Sequence, residues 1–585
     1  MQPYEIQTPK KILTPTLIAL LCVLGVSLVA LFFVHFIYLP NLPEYDDLGY
    51  PIVLLDLDGD GTVFEPYRIY TVEDLDEIAL KIQDGARFFE VYFLLMNDID
   101  MTEYLSPNGA GYNKGAGWLM LGSYAGAPFS GVFDGNGHVI KGVWVNRPAE
   151  FSVGFFGSIT DGEVHNLRVE ATSLVGRNAV GALGGDVRYS VVTDCHGTAK
   201  ELSTNDTEYS TSVGGLIGDL RNSRVTNCSA ELSIEYKSGV DVVTRFGGLL
   251  GAADNNSMVR NSHAKIDSTL QSSDTLLLAG GLVGLVTSNT VIDNCYAEGS
   301  ITATAPKSQY VFAGGLIGAA EDDGTIIMNS YSTANVSANG LTGGLAGYVG
   351  RGATVDNCHA TGFVYVTNGT HHYAGGLVGQ ITKSVVKNSY ATGDVFAGGG
   401  YYSYAGGLIG ALSGSVIETS YATGSVRGGA SEVVTVGGLV GETFYHNSRD
   451  DAPPSYITNC YSTGSVFAAI GEEKHCGGFI GYLSNNSVIT NCYSSGYSLS
   501  GDLGDNSLNN PLRIGFAGSQ YGIIESSFFH FYADKGVNFT GENAQGEPLS
   551  LNHLNLQDRE IFEGWDFVNV WFVPDEGFPQ LRVFG

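Results

Sequence analysis

A chain of 585 residues with 80 glycines and only 15% charged residues reads as one repetitive architecture, not as several ordinary globular domains. Acidic residues outnumber basic ones 60 to 29, giving a formal charge of -31; this argues against nucleic acid as a partner and suits a solvated surface. Eight cysteines are too sparse for a disulfide scaffold, and HExxH, GxxxxGK[ST] and GxSxG are all absent, so no enzymatic activity and no cofactor other than calcium is expected.

In chain order, residues 1–11 end on Lys10 and Lys11 and read as a cytoplasmic tail. Residues 12–39 carry no charged group apart from His35 and are long enough, at about 1.5 Å per residue, to cross a bilayer core of roughly 30 Å as a helix. Glu44, Asp46 and Asp47 follow, so the positive-inside rule places the N-terminus in the cytoplasm and the rest outside, as a single-pass cell-membrane protein. The exit Phe36-Ile37-Tyr38-Leu39-Pro40 lacks the small residues of a signal cleavage site, which favours an uncleaved anchor.

Residues 40–66 are rich in Pro, Asp and Gly and read as a linker. Within it, Asp56, Asp58 and Asp60 alternate before Gly61, the beginning of a calcium loop, although the twelfth position is Tyr67 where a bidentate glutamate belongs. Residues 67–150 are expected to hold a cap and the leading turns of the repeat. Thr71 can cap a short helix with Leu75, Ile78, Ala79 and Ile82 on one face and Gly85 at its stop.

Residues 151–535 carry the repeat. A Gly-hydrophobic-hydrophobic-Gly phrase, led by Gly or Val in nearly every copy, starts at 154, 181, 215, 248, 281, 315, 344, 376, 407, 438, 478 and 515. A unit of roughly thirty residues with short β-branched strands cannot bury a core alone, so successive units must coil and stack. The fold expected is therefore all-β, a right-handed parallel β-helix (solenoid) preceded by one transmembrane helix and a short capping helix. Twelve coils at about 4.8 Å each give a rod near 55 Å. The repeated Gly-Gly points to corners where the backbone bends sharply and adopts positive φ.

Stacking places like residues in registers. Asn166, Asn227, Asn261, Asn294, Asn329, Asn357, Asn388, Asn459 and Asn491 form one, with Asp194 and Thr419 as replacements; it reads as a structural ladder. Next come Cys195, Cys228, Ser262, Cys295, Ser330, Cys358, Ser389, Ser420, Cys460 and Cys492, read as buried small side chains rather than disulfides, because parallel Cβ directions suit the bond poorly. One position on, Tyr296, Tyr331, Tyr390, Tyr421, Tyr461 and Tyr493 alternate with His196, His263 and His359, an outward aromatic ladder that stiffens the sheet or offers ring faces to sugars. Residues 536–585 are read as a closing cap.

The Gly-Gly-Leu-Val/Ile-Gly phrases at 214–218, 280–284, 314–318, 375–379, 406–410 and 437–441 resemble the GLUG motif of secreted and surface proteins. Pro66-Tyr67-Arg68-Ile69, Asn97-Asp98-Ile99-Asp100, Phe129 to His138 and Asn166-Leu167 resemble the leading turns that precede such repeats, and Gly564-Trp565-Asp566-Phe567 with Trp571 and Gly577 to Leu581 is similar to their closing segment. The resemblance spans roughly 62–585 and implies a β-helical surface or adhesin-like protein. Some relatives pair the repeats with an IgA-specific metallopeptidase, whose zinc motif this chain lacks.

Three functions follow as expectations. The first is a membrane-anchored cell-surface adhesion or interaction module with a surface protein or glycan as ligand, its contacts on loops 398–404, 428–434 and 445–454. The second is a polysaccharide-active enzyme using Asp134 and His138, or Glu321, Asp322 and Asp323, although these read more simply as a turn and a solvated tip. The third is a structural spacer.

Overall fold

A computed structural model describes residues 55–238, 242–272, 276–306, 311–367, 369–444, 453–469, 471–500, 513–552 and 556–585. The expected tail, the anchor at 12–39 and most of the linker lie outside the described residues. Among the described residues no helix is long and apolar enough to cross a membrane.

From Asp56 to Gly585 the chain forms one compact unit, a parallel β-solenoid of the right-handed type with about eleven turns. Each turn reads the same way, as residues 277–304 show. A strand Leu277–Gly280 runs into the glycine corner; Val283–Val286 leaves it; a tight turn leads to the three-residue strand Val291–Asp293; Asn294 makes a second corner; and Tyr296–Thr304 completes the turn. The short three- and four-residue strands stack into a 15-stranded sheet, most others merge into a continuous 45-stranded one, and Trp571–Phe572 pairs with Gln580–Leu581 in a separate two-stranded sheet. Three leading strands, Tyr67–Ile69, Tyr92–Leu95 and Val132–Asp134, start the narrow sheet before the glycine repeat begins.

The core follows from period-two alternation within strands this short. Val164, Val192, Val225, Val259, Ile292, Ile327, Val355, Val386, Ile417, Ile457, Ile489 and Ile524 are the central residues of successive narrow strands, paired rung to rung and buried. Leu216, Leu249, Leu282, Leu316, Leu345, Leu377, Leu408 and Leu439 from the glycine phrases face them, followed by Phe479 stacked on Phe516 at 4.6 Å. Each such side chain contributes roughly 1.5–3 kcal/mol of burial, much of it against like residues in the adjacent turns.

The repeated Gly-Gly has a different cause from the one its sequence suggests. None of these glycines lies in the positive-φ region. What they supply is close approach: a Cβ on Gly281 would sit 2.0 Å from the Gly315 carbonyl oxygen, and one on Gly280 1.9 Å from that of Val283. Positive φ belongs instead to the asparagine corner, where Asn227, Asn261, Asn294, Asn329, Asn357, Asn388, Asn459 and Asn491 all have φ between 50 and 56°. Asn tolerates that left-handed conformation better than most residues.

Both ends are covered. The helix Val72–Gln83 is capped by Thr71, which exchanges hydrogen bonds with Asp74, and buries Val72, Leu75, Ile78, Ala79 and Ile82. At the other end Leu551, Leu556, Phe562, Trp565, Trp571 and Leu581 cluster with Tyr493 and Phe528, and Phe584 reaches back to lie edge-on against Tyr421 and Tyr390. The closing segment is thus an apron folded along one flank.

Candidate functional site

Three polar or aromatic columns run along the turns. In the asparagine column Asn261 Nδ2 donates to Asn227 Oδ1 at 3.2 Å, Asn294 to Asn261 at 2.8 Å and Asn357 to Asn329 at 2.8 Å. Asn329 and Asn388 donate instead to Asp293 and Asp356, Asn491 donates to the Gly564 carbonyl, and Asn459 accepts from the Trp571 indole. The column lies at an exposed or half-buried corner and consumes its own donors and acceptors.

The Cys/Ser column is buried, and its six cysteines are unpaired thiols. Its residues share more than small size. The Cys228 backbone N–H donates to Ser262 Oγ at 3.1 Å, that of Cys295 to Ser330 Oγ at 3.0 Å and that of Cys358 to Ser389 Oγ at 3.1 Å, while Cys195 and Cys460 donate to Cys228 and Cys492 sulfurs at 3.4 Å. Each hydroxyl or thiol then donates to the carbonyl two residues earlier, as Ser262 does to Arg260 and Cys295 to Asp293. The position requires one donor and one acceptor on a single-atom stem. Burial pushes the Cys295 and Cys358 thiols up to about 12, so they are poor nucleophiles.

In the third column eight rings stack without interruption: His263, Tyr296, Tyr331, His359, Tyr390, Tyr421, Tyr461 and Tyr493, with centroids 4.7–5.1 Å apart and planes within 6°. Every internal face is covered by the next ring, and the face of Tyr493 is covered by Phe578. Of the two roles expected of this ladder, the stacking fits the stiffening one, since it uses up the ring faces that sugars would need.

A fourth set of aromatic side chains stays open. Strands Val364–Thr367, Val395–Gly406, Val426–Gly437 and Val466–Ala468 pair in register, with Val364, Val395, Val426 and Val466 facing inward and buried. Alternation then turns Tyr365, Phe396, Arg427 and Phe467 outward, one above another. Tyr365 and Phe396 stack at 4.9 Å, and the Arg427 guanidinium lies 5.7 Å over the Phe467 ring. Tyr365 is 47% exposed and Phe396 36%.

Concavities flank this column on both sides. One, of about 550 Å³, is lined by Phe363, Asp394, Ser425, Ser465 and Tyr497; the other, of about 770 Å³, by Thr370, Gly398–Gly400, Tyr401, Gly428, Gly429 and Ala469. Phe363 is 60% exposed. Glycines make the second floor bare backbone, with Gly399 at φ 83° in a bulge between the long strands. Residues 398–404 and 428–434 are therefore not the loops expected of them. They belong to twelve-residue strands, because neighbouring rungs extend and pair there. Residues 445–452 lie outside the described residues.

The remaining expected sites do not assemble. Asp58 bonds to Arg68 at 3.2 Å, Asp60 accepts from its own turn at Thr62, and Asp56 offers its backbone N–H to Glu77. The three carboxylates do not converge as a calcium loop requires, and among the described residues no group of three His, Cys, Asp or Glu could hold a metal ion. Asp134 accepts from Asn136 and Asn166 in a turn, whereas His138 pairs with Asp98 at 3.0 Å. Glu321 and Asp322 meet Arg351 at a tip, at 3.3 and 3.8 Å.

The open column had a signal that was passed over. The phrase Thr-Gly-x-Val-x ends in Tyr365, Phe396, Arg427 and Phe467 at the same offset in four successive turns.

Comparison with known families matches the GLUG motif to residues 276–302, 338–365, 370–395, 401–427 and 475–500. The chain is a GLUG-repeat β-solenoid. Tyr365 and Arg427 lie inside these matches and Phe396 and Phe467 outside them, and the same stacking runs through matched and unmatched turns alike. A "Putative Gly-rich membrane protein" of Evansella cellulosilytica is 36% identical over 23% of this chain and 14% of its own length. "Halomucin" of Haloquadratum walsbyi is 31% identical over 22% of this chain and 1% of its own. The chain thus spans only a small part of these relatives. A Bacteroides ovatus structure described as a "putative immunoglobulin A1 protease" aligns over 90% of this chain and 94% of its own, with 16% identity and a TM-score of 0.24.

Proposed function

We propose that this GLUG-repeat protein is a single-pass, membrane-anchored cell-surface β-solenoid that works as an adhesion or interaction module, gripping an extended glycan along the Tyr365–Phe396–Arg427–Phe467 column. The observation that carries the reading is this open column, four rungs long, between two concavities. The exposed outer edges of Tyr365 and Phe396 offer apolar surface to sugar rings, and Arg427 with Asp394 supplies directional polar contacts. A rigid surface loses little freedom on binding, so modest contacts suffice. The names of the two relatives, "Putative Gly-rich membrane protein" and "Halomucin", agree with a surface location. Residues 12–39 would form the anchor, with the N-terminus cytoplasmic. No catalytic role is assigned.

A glycan array probed with the purified chain tests the reading. Phe396→Ala with Phe467→Ala should abolish binding without lowering the melting temperature by more than a few degrees. An array signal indifferent to both changes would move the ligand elsewhere. With an epitope tag fused to the N-terminus, protease shaving of intact cells should remove the solenoid and leave the tag.

A further inference from the structure

Arg427 is exposed and lines both concavities that flank the aromatic column, and its guanidinium is held over the Phe467 ring at 5.7 Å. It makes no hydrogen bond and no ion pair among the described residues. Carboxylates are not scarce in this chain, where acidic residues outnumber basic ones 60 to 29. Arg68, Arg188, Arg221, Arg260 and Arg351 each hold one within 3.3 Å, whereas the column arginine keeps its donors free.

The two concavities differ in charge. Asp394 lines the smaller one, its Oδ1 accepting from the Ser425 backbone N–H at 2.8 Å. In the larger, of about 770 Å³, Arg427 is the only charged lining residue, and the others are Gly, Ala, Thr, Tyr and Phe. Glu432 accepts from the hydroxyl of Tyr401, a lining residue, but does not itself line the space. The larger concavity therefore sets one positive charge among largely apolar walls, where attraction to an anion is screened less than on an open face.

Contact with Phe467 covers one face of the guanidinium and leaves its N–H edge free to donate. That planar fork matches two oxygens of a carboxylate or sulfate, whereas a hydroxyl answers it with one. A cationic group would meet Arg427 with no carboxylate in the lining to offset it. The overall charge of -31 does not forbid an anion here, because at physiological salt exposed charges are screened beyond about 8 Å and the adjacent group decides.

We propose that the saccharide taken by the column is acidic, with a carboxylate or sulfate seated against Arg427 in the larger concavity and uncharged hydroxyls turned towards Asp394. This inference rests on the column being a glycan site, and it adds the ligand's charge and its orientation across the strands.

The test is calorimetric titration of the purified full chain with matched pairs of oligosaccharides. Oligomers of polygalacturonate, alginate and hyaluronan are paired with their carboxyl-reduced forms, and those of chondroitin sulfate and dextran sulfate with their desulfated forms, so the two sets separate carboxylate from sulfate as the group bound. At least one acidic member should bind at least about tenfold more tightly than its counterpart. Arg427→Gln should erase that difference without lowering the melting temperature, since the side chain makes no hydrogen bond or ion pair within the protein. Arg427→Lys, which keeps the charge and loses the fork, should retain only part of it. Neutral members bound as tightly as acidic ones, and lost in the Phe396→Ala with Phe467→Ala variant, would overturn the assignment of charge and leave the column a glycan site. A preference for acid that survives in Arg427→Gln would place the anion elsewhere and overturn it as well. Binding of no member of either set would overturn the glycan reading and this inference together.

Discussion

At the scale of single residues, the solenoid selects side chains by the bond each register must close. Cys295 sits between Ser262 and Ser330 in a column where every member accepts from a backbone N–H one rung away and donates to a carbonyl. Cys295→Ser should change stability by less than about 0.5 kcal/mol, while Cys295→Ala leaves buried bonds unmade and should cost about 1–3 kcal/mol, read by chemical denaturation. Gly281→Ala tests the glycine argument in the same assay: its Cβ would meet the Gly315 carbonyl at 2.0 Å, so a loss of at least about 1–3 kcal/mol is expected. Sequence periodicity made these registers visible, because identical chemistry recurs at one offset. It could not distinguish small size from hydrogen bonding in the cysteine series, nor positive φ from close approach in the glycines, since both pairs of causes choose the same residues.

At the scale of elements, the strands behind the open column hold an ionisable group in an unusual state. His372 pairs with Ser403 across adjacent rungs, is fully buried, and neither ring nitrogen has a hydrogen-bond partner. Burial lowers its pKa from 6.5 to about 4. The unfolded chain therefore binds a proton between these values and the folded chain does not, so stability rises with pH across that window and is lost as pH falls from about 6.5 towards 4. The slope should sum to on the order of 3 kcal/mol, and His372→Leu should remove it, as urea titrations at pH 4.5 and 7 would show. A Thr-Gly-x-Val-x phrase marks where these strands begin, at Val364, Val395, Val426 and Val466. Their extension through 398–404 and 428–434 is not legible in the sequence, because Gly-rich stretches read as loops until a neighbouring rung is present to pair with them.

At the scale of the whole molecule, each turn contacts only its neighbours, so stability accumulates rung by rung and the ends decide whether fraying begins. The fold class was legible because a thirty-residue period has few other solutions. Trp571 is fully buried in the apron and packs on Tyr461 and Tyr493. Trp571→Ala should cost about 3–5 kcal/mol locally, and hydrogen exchange should show the loss confined to the last turns, leaving those near residue 200 protected.

The apron reaches back from Phe528 to Tyr390, across several rungs rather than only the last, so it resembles a latch more than a lid. Tension applied at the C-terminus would load that latch first. Pulled in an optical trap, the protein should yield in one early event as the apron peels away, followed by a regular sawtooth as turns unravel singly; cutting the latch should leave the sawtooth and erase the first peak.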